Sequence, residues 1–182
     1  MTIRLFAALP IPLELGAELV GLQRGIPNAK WRPVDAFHVT LRFVGEVNQA
    51  VATELDEALA LIESEPFDVS LVGAGVFGGD LPHAVWLGVE RSEPLELLAA
   101  RCERVCRRIG LSPDTRKWTP HVTMAYLNTS ADPGRIAQWV ANNATYRSGS
   151  WLADRFHLYS SWLGKGPSRY EAEAEYPLAP AL

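Results

Sequence analysis

The amino-acid sequence predicts one α+β domain whose strands pair in a mixed or antiparallel arrangement. Two observations favour this fold class: strand-like and helix-like segments interleave along the chain, and several neighbouring strands are separated only by short turns. The third observation is size, because 182 residues, of which 48% are apolar, can build one ordinary hydrophobic core. Residues 1–182 are therefore expected to form a single domain.

Hydrophobic periodicity places the elements of the first half of the chain. The pattern predicts, in order, a strand at 3–9, a helix at 12–24, a strand at 37–44, a helix at 48–62, and paired strands at 67–77 and 84–89. Aliphatic residues recur every three or four positions in both helices, so each helix has one apolar face to bury.

The second half is predicted to begin with a helix at 94–109 and a strand at 121–127. A further helix begins with Asp132 as its N-cap and Pro133 in its first turn. Two strands follow, around 155–159 and 170–176. In the last strand, apolar residues and tyrosines alternate with glutamates, which predicts one apolar face, one acidic face and a position at a sheet edge.

Bulk features exclude several classes of protein. The segment before Pro10 has too short an apolar run for a signal peptide or a membrane span, so we expect a cytoplasmic protein without a membrane partner. A net charge of -4 argues against broad, nonspecific binding to duplex nucleic acid. Cys102 and Cys106 lie on the apolar stripe of a predicted helix and are expected in the core, not in a zinc or redox site.

One tetrapeptide pattern occurs twice, once in each half of the chain. The copies are His38-Val39-Thr40-Leu41 and His121-Val122-Thr123-Met124. Both lie in predicted strands, where residues i and i+2 share a face, so each histidine points the same way as its threonine. If the halves pack about a pseudo-twofold axis with these polar faces inward, two imidazoles and two hydroxyls converge on one cleft.

A phosphodiester suits such a site, because phosphorus carries two bridging and two non-bridging oxygens that paired groups can address together. Threonine hydroxyls can donate hydrogen bonds to the non-bridging oxygens. A neutral histidine can take the proton of an attacking water while a protonated one donates to the departing ribose oxygen. This chemistry requires no metal and no cofactor, and no carboxylate stands at ligand spacing beside either motif histidine.

At these residues the chain resembles the two-histidine phosphoesterase superfamily, specifically the RNA 2',3'-cyclic phosphodiesterases, also called 2'-5' RNA ligases. The resemblance spans nearly the whole chain. Its segments are Arg4-Leu5-Phe6-Ala7-Ala8-Leu9-Pro10, Phe37-His38-Val39-Thr40-Leu41-Arg42-Phe43-Val44-Gly45, Pro120-His121-Val122-Thr123-Met124, and Ser160-Ser161-Trp162-Leu163 with Gly166 and Tyr170.

The resemblance implies a bilobal fold of two similar α+β lobes, related by a pseudo-twofold duplication, with sheets flanked by outer helices around a central cleft. It also implies hydrolysis of an RNA 2',3'-cyclic phosphate end, or of a cyclic nucleotide, to a 2'-phosphate, and reversible joining of RNA through 2'-5' bonds. By analogy His38 is the general acid toward the leaving 3'-oxygen and His121 the base toward water, although the roles could be exchanged. Thr40 and Thr123 are then phosphate-binding residues.

The chain departs from the family pattern at one position. The family often has arginine five places after the second histidine, where this sequence has Tyr126. We expect another residue to supply the charged contact to the phosphate or ribose, and Arg116 and Arg42 are the candidates. Arg42 is a candidate because it lies two places after Thr40 on the predicted strand. Phe43 is a candidate for stacking on a base, with core packing as the alternative.

Two other interpretations were weighed. The run Gly73-Ala74-Gly75-Val76-Phe77-Gly78 matches a dinucleotide-binding pattern but lacks the helix that such a site needs, so it is interpreted as turn glycines. A non-catalytic adaptor that binds a nucleotide or RNA end in the same cleft is the alternative to an enzyme. Retention of both histidines favours the enzyme, because binding alone does not need two titratable groups. We expect a monomer.

Overall fold

A computed structural model describes residues 1–162, 164 and 168–179. Leu163 and Gly166, two residues of the resemblance, lie outside the described residues. The elements follow the predicted order, with a short 3-10 turn at Val34–Ala36. Their bounds are β1 (Thr2–Pro10), α1 (Leu13–Val20), β2 (Lys30–Trp31), β3 (His38–Asn48), α2 (Gln49–Leu59), β4 (Phe67–Val69), β5 (Leu71–Phe77), β6 (Ala84–Val89), α3 (Glu93–Arg108), β7 (His121–Tyr126), α4 (Pro133–Asn142), β8 (Trp151–Ala153), β9 (Arg155–Trp162) and β10 (Arg169–Pro177).

Two four-stranded sheets form the body of the protein. The first sheet has the order β10-β9-β1-β3 and the second sheet has the order β2-β7-β6-β5, while β4 and β8 form a small ribbon. All strand pairs named here are antiparallel. Helices α2 and α3 pack on the first sheet, and α4 packs on the second. The predicted α+β class, with antiparallel sheets flanked by helices, is confirmed.

The two sheets do not correspond to the two halves of the chain. The first sheet combines β1 and β3 from the first half with β9 and β10 from the second. The second sheet takes β2, β5 and β6 from the first half and β7 from the second. Each copy of the repeated motif nevertheless lies in its own sheet, the first on β3 and the second on β7.

The core prediction for the helix at α3 is confirmed. Ser92 caps its N-terminus by accepting from the backbone N–H of Leu95, and Cys102 and Cys106 are buried as free cysteines. Their burial raises the pKa of both thiols, because the thiolate is poorly solvated in an apolar environment. Among the described residues, no helix is long and apolar enough to span a membrane.

A β-bulge in β3 reverses the faces of two residues that follow the first motif. Ala8 pairs with Thr40, but Ala7 pairs with Arg42, so one extra residue of β3 is inserted between these pairs. The predicted alternation of β3 is therefore inverted at Arg42 and Phe43, and a further register shift between the pair of Phe6 with Phe43 and the pair of Leu5 with Gly45 restores it. Arg42 therefore turns toward the helices, and Phe43, opposite Phe6, turns toward the face that carries the first motif.

A bulge in β10 corrects the prediction for the last strand. β10 lies at the edge of the first sheet, as predicted, but its register shifts between Ala172 and Ala174. Glu175 consequently pairs with His157, whose Nε2 it approaches at 3.1 Å. Tyr176 turns to the opposite side, where its hydroxyl donates to Asp56 of α2 at 2.6 Å. The prediction of one continuous acidic face is therefore wrong.

Candidate active site

The histidine of the first motif opens β3 directly after the 3-10 turn. Its Nδ1 lies 2.8 Å from the carbonyl oxygen of Ala36, two residues earlier, so Nδ1 carries the proton and donates to this carbonyl. The histidine of the second motif opens β7 in the same way, with Nδ1 of His121 2.6 Å from the carbonyl oxygen of Thr119. Both imidazoles are therefore held in the tautomer that leaves Nε2 unprotonated and available for proton transfer.

Aromatic side chains surround both imidazoles. The ring of His38 packs against Phe6 at 4.7 Å between centroids and against the edge of Tyr170 at 5.2 Å. The ring of His121 packs against Phe77 at 4.8 Å and Trp86 at 5.9 Å. These contacts fix the ring planes and exclude water from one side of each imidazole.

Burial lowers the pKa of both histidines, because it disfavours the charged imidazolium. The pKa of His38 falls from 6.5 to about 4: burial is the main cause, the Ala36 carbonyl opposes it, and the positive charges of His121 and Arg32 lower it further. The pKa of His121 is also lowered by burial, against the opposing hydrogen bond to Thr119. Both imidazoles are thus neutral near pH 7 in the free protein, and a proton on His121 disfavours a second one on His38.

The two motifs approach each other where β3 lies near β7. We call the region between the two sheets that holds His38, Thr40, His121 and Thr123 the inter-sheet cleft. The indole Nε1 of Trp118, just before the second motif, donates to the carbonyl oxygen of Thr40 at 3.1 Å. Thr40 and Thr123 are half-buried. In the part of the chain that the structure describes, neither threonine hydroxyl has a hydrogen-bond partner, so both can donate to a ligand.

The expected position of Arg42 beside Thr40 is wrong. Because of the bulge in β3, its guanidinium lies on the helix side of the first sheet, where it pairs with Glu103 and donates to the carbonyl oxygens of Phe43 and, at 2.6 Å, Ser112. Arg42 is buried and its donors are engaged in these bonds. Its side chain thus links β3 to α3 and to the segment before the second motif.

Phe43 and Arg116, the two other predicted substrate contacts, lie in surroundings that differ from each other. Phe43 is half-buried on the cleft side of the first sheet, with the guanidinium of Arg4 5.0 Å from its ring centroid. Core packing is therefore not its role, and a cationic and an aromatic side chain are presented together. Arg116 is largely exposed and bonds Asp114 through Nε and Nη2 at 3.1 and 3.0 Å.

Sequence reasoning missed Arg32. Its backbone N–H donates to the carbonyl oxygen of Met124 at 2.8 Å, which extends the pairing of β2 with β7 beside the second motif. Its guanidinium lies 5.3 Å from the ring centroids of both Tyr126 and Tyr170. No local pattern indicates this position, because β2 has only two residues and its partner is distant in sequence.

Among the described residues, no group of three or more His, Cys, Asp or Glu side chains is placed to hold a metal ion. The candidate site has two histidines anchored through Nδ1 and two threonine hydroxyls without a hydrogen-bond partner among the described residues, with the buried Arg32 close enough to lower the pKa of His38. These groups are of the types that acid–base chemistry on an oxyanion such as a phosphate requires.

Comparison with known proteins identifies the family. A family profile described as the 2'-5' RNA ligase superfamily matches residues 15–163. The chain is 34% identical over 144 residues to the RNA 2',3'-cyclic phosphodiesterase of Aeropyrum pernix, covering 76% of this chain and 82% of that protein. It is 29% identical over 176 residues to the Escherichia coli protein of the same name, covering 92% of each.

Solved structures share the fold. E. coli LigT complexed with 3'-AMP superimposes with a TM-score of 0.80 and 25% identity, covering 99% of this chain and 100% of LigT. A crystal structure described as a phosphoesterase gives a TM-score of 0.82 at 24% identity. The chain therefore belongs to the 2'-5' RNA ligase superfamily.

Proposed function

We propose that this protein hydrolyses RNA 2',3'-cyclic phosphate ends to 2'-phosphates, with His38 and His121 as its catalytic acid and base. The names of the relatives support the activity, and the observation that carries the mechanism is the matched anchoring of two imidazoles through Nδ1. Each sheet contributes one such histidine, so proton transfer can proceed on both sides of one phosphorus atom.

In the proposed reaction, a water oxygen attacks phosphorus and the bond from phosphorus to the 3'-oxygen breaks. His121 takes the proton of the water on Nε2, and His38 gives the proton on its Nε2 to the 3'-oxygen, which leaves as a hydroxyl. The hydroxyls of Thr40 and Thr123 donate to the non-bridging oxygens, where charge accumulates. If the 5'-hydroxyl of another RNA replaces water, the same steps produce a 2'-5' linkage.

The acid must first acquire its proton, because His38 is neutral at pH 7 in the free protein. The negative charge of a bound phosphate favours the imidazolium and raises the pKa of both imidazoles. We infer that substrate binding and protonation of His38 are coupled. An oligonucleotide that lacks the terminal cyclic phosphate would not produce this coupling.

The test is product analysis on an oligonucleotide that ends in a 2',3'-cyclic phosphate, with a chelator present. The parent should release a 2'-phosphate end, whereas His38→Ala and His121→Ala should lose activity by at least about 100-fold. The exposed His83→Ala variant is the matched control. Binding of the oligonucleotide without turnover by the parent would support the adaptor instead, and activity that depends on added metal would contradict the mechanism.

A leaving-group substitution tests the two roles separately. A cyclic substrate whose 3'-oxygen is replaced by sulfur needs no proton on its departing atom. This substrate should restore activity to His38→Ala but not to His121→Ala. Rescue of His121→Ala alone would exchange the roles.

We further propose that the protein acts as a monomer in the cytoplasm. A single chain supplies both motif histidines, and no described helix could span a membrane. Sedimentation of the purified chain during turnover would test the oligomeric state.

A further inference from the structure

Arg32 combines burial with contacts to both sheets. Its residue exposure is only 5%. The guanidinium lies over the ring of Tyr126, which ends β7 in the second sheet, and over the ring of Tyr170 in β10 of the first sheet. Burial raises the pKa of Tyr170 to about 12, and a side-chain hydrogen bond with Tyr126 adds to this shift. The two tyrosines thus hold the guanidinium at the end of the inter-sheet cleft.

Arg32 has no anionic partner within the described ranges of the chain. No carboxylate in those ranges lies within 4.0 Å of its guanidinium, and its one side-chain hydrogen bond is a long one, 3.4 Å from Nη2 to the carbonyl oxygen of Ser168. The other buried arginine, Arg42, has Glu103 and two carbonyl oxygens as partners. A buried guanidinium has five N–H donors and a high cost of desolvation, so an unpaired one needs an anion.

The candidate phosphate position is close to Arg32. The ring of Tyr170 contacts both the guanidinium of Arg32, at 5.3 Å from its centroid, and the imidazole of His38, at 5.2 Å between centroids. The charge of Arg32 also contributes to the lowered pKa of His38. An anion placed against Nε2 of His38 would therefore lie within the field of the guanidinium.

We propose that Arg32 binds the phosphate group of the substrate and supplies, from the position directly after β2, the cation that position 126 lacks. Tyr126 and Tyr170 hold its guanidinium plane by stacking, and its free N–H groups donate to a non-bridging phosphate oxygen. Arg32 thereby aligns the phosphate against the two histidines. This role rests on the proposed function, because it names the group that holds the substrate of that same site.

The direct test measures binding of inorganic phosphate to the protein, independently of turnover. Arg32→Gln should weaken phosphate binding by about 10- to 100-fold, because it removes charge-assisted hydrogen bonds. Arg32→Lys should recover part of this loss, because it keeps the charge but lacks the planar fork. Arg135→Gln, at an exposed position of α4, is the matched control and should bind phosphate as the parent does.

A second-site variant separates charge from packing. Tyr126 is partly exposed and contacts Arg32, so Arg32→Gln combined with Tyr126→Arg returns a guanidinium to the same end of the cleft. Phosphate affinity should recover in this double variant if the charge binds the anion. Loss of affinity in Arg32→Gln that neither lysine nor the arginine at 126 repairs would overturn the proposal in favour of a purely structural clamp.

The parent protein provides a test that does not depend on folding of a variant. Titration with inorganic phosphate should shift the Nε–H resonance of Arg32 in an NMR spectrum and leave that of Arg135 in place. An unshifted Arg32 resonance at saturating phosphate overturns the proposal, even if the parent hydrolyses cyclic phosphates. A shifted resonance in a protein that hydrolyses none would retain Arg32 as the anion site and refute only the proposed function.

Discussion

Burial of His38 makes the stability of the fold depend on pH in a way that can be calculated. The pKa of His38 is about 4 in the folded protein and 6.5 when the residue is exposed by unfolding. Between these two values, the unfolded chain binds a proton that the folded chain excludes, so the free energy of unfolding decreases as the pH falls. A difference of roughly 2.5 pKa units, at about 1.4 kcal/mol each, corresponds to an upper figure of about 3.5 kcal/mol.

The perturbation that isolates this contribution is His38→Gln, whose side-chain amide can still donate to the Ala36 carbonyl. The difference in free energy of unfolding between the variant and the parent should move in favour of the variant by about 2 to 3 kcal/mol as the pH falls from 7.5 to 4, because glutamine does not titrate. Carboxylates with lowered pKa values, such as Glu103 and Asp114, weaken both proteins equally in acid and cancel in the difference.

Urea unfolding, followed by tryptophan fluorescence at several pH values, measures the difference. His83→Gln, which alters an exposed histidine, should lose stability in acid in parallel with the parent. If His38→Gln also follows the parent across this pH range, His38 is not buried as a neutral imidazole and the electrostatic account of the site is refuted.

Three further predictions follow from the site and its supports. The profile of kcat/KM against pH should be bell-shaped with its maximum below 6.5, because both motif histidines have lowered pKa values in the free protein; a maximum at or above neutrality would contradict this. Arg42→Met should cost about 2 kcal/mol in urea unfolding, since Glu103 loses a buried partner, yet leave KM unchanged; a raised KM would return Arg42 to substrate binding. Gly75→Ala places a Cβ 2.3 Å from an indole atom of Trp86, so it should lower the free energy of unfolding by about 1 to 3 kcal/mol. Because Trp86 packs against His121, the variant should also have a reduced kcat. Gly149→Ala, with open space around its Cβ, should change neither quantity.

Much of the fold could be predicted from local patterns. The period of apolar residues located α1, α2, α3 and the strands of both motifs, because backbone geometry repeats every 3.6 residues in a helix and every two in a strand, whereas α4 was located by its N-terminal residues. The N-cap at Asp132 was predicted correctly, since its carboxylate accepts from Gly134 and Arg135 as such a cap should. The short strands β2 and β8 were missed, because two or three residues carry too little pattern.

The sequence by itself determined the chemistry offered for the site: two histidines, each with a threonine on the same face of a strand, in a family recognisable by those residues. Only the tertiary structure decided which other side chains accompany them. The bulge in β3 arises from pairing with β1, and it sends Arg42 to the helices and Phe43 to the cleft. The position of Arg32 between Tyr126 and Tyr170 depends on three strands from both sheets. Periodicity describes one strand at a time, whereas bulges and buried charges are settled by contacts between segments far apart in the chain.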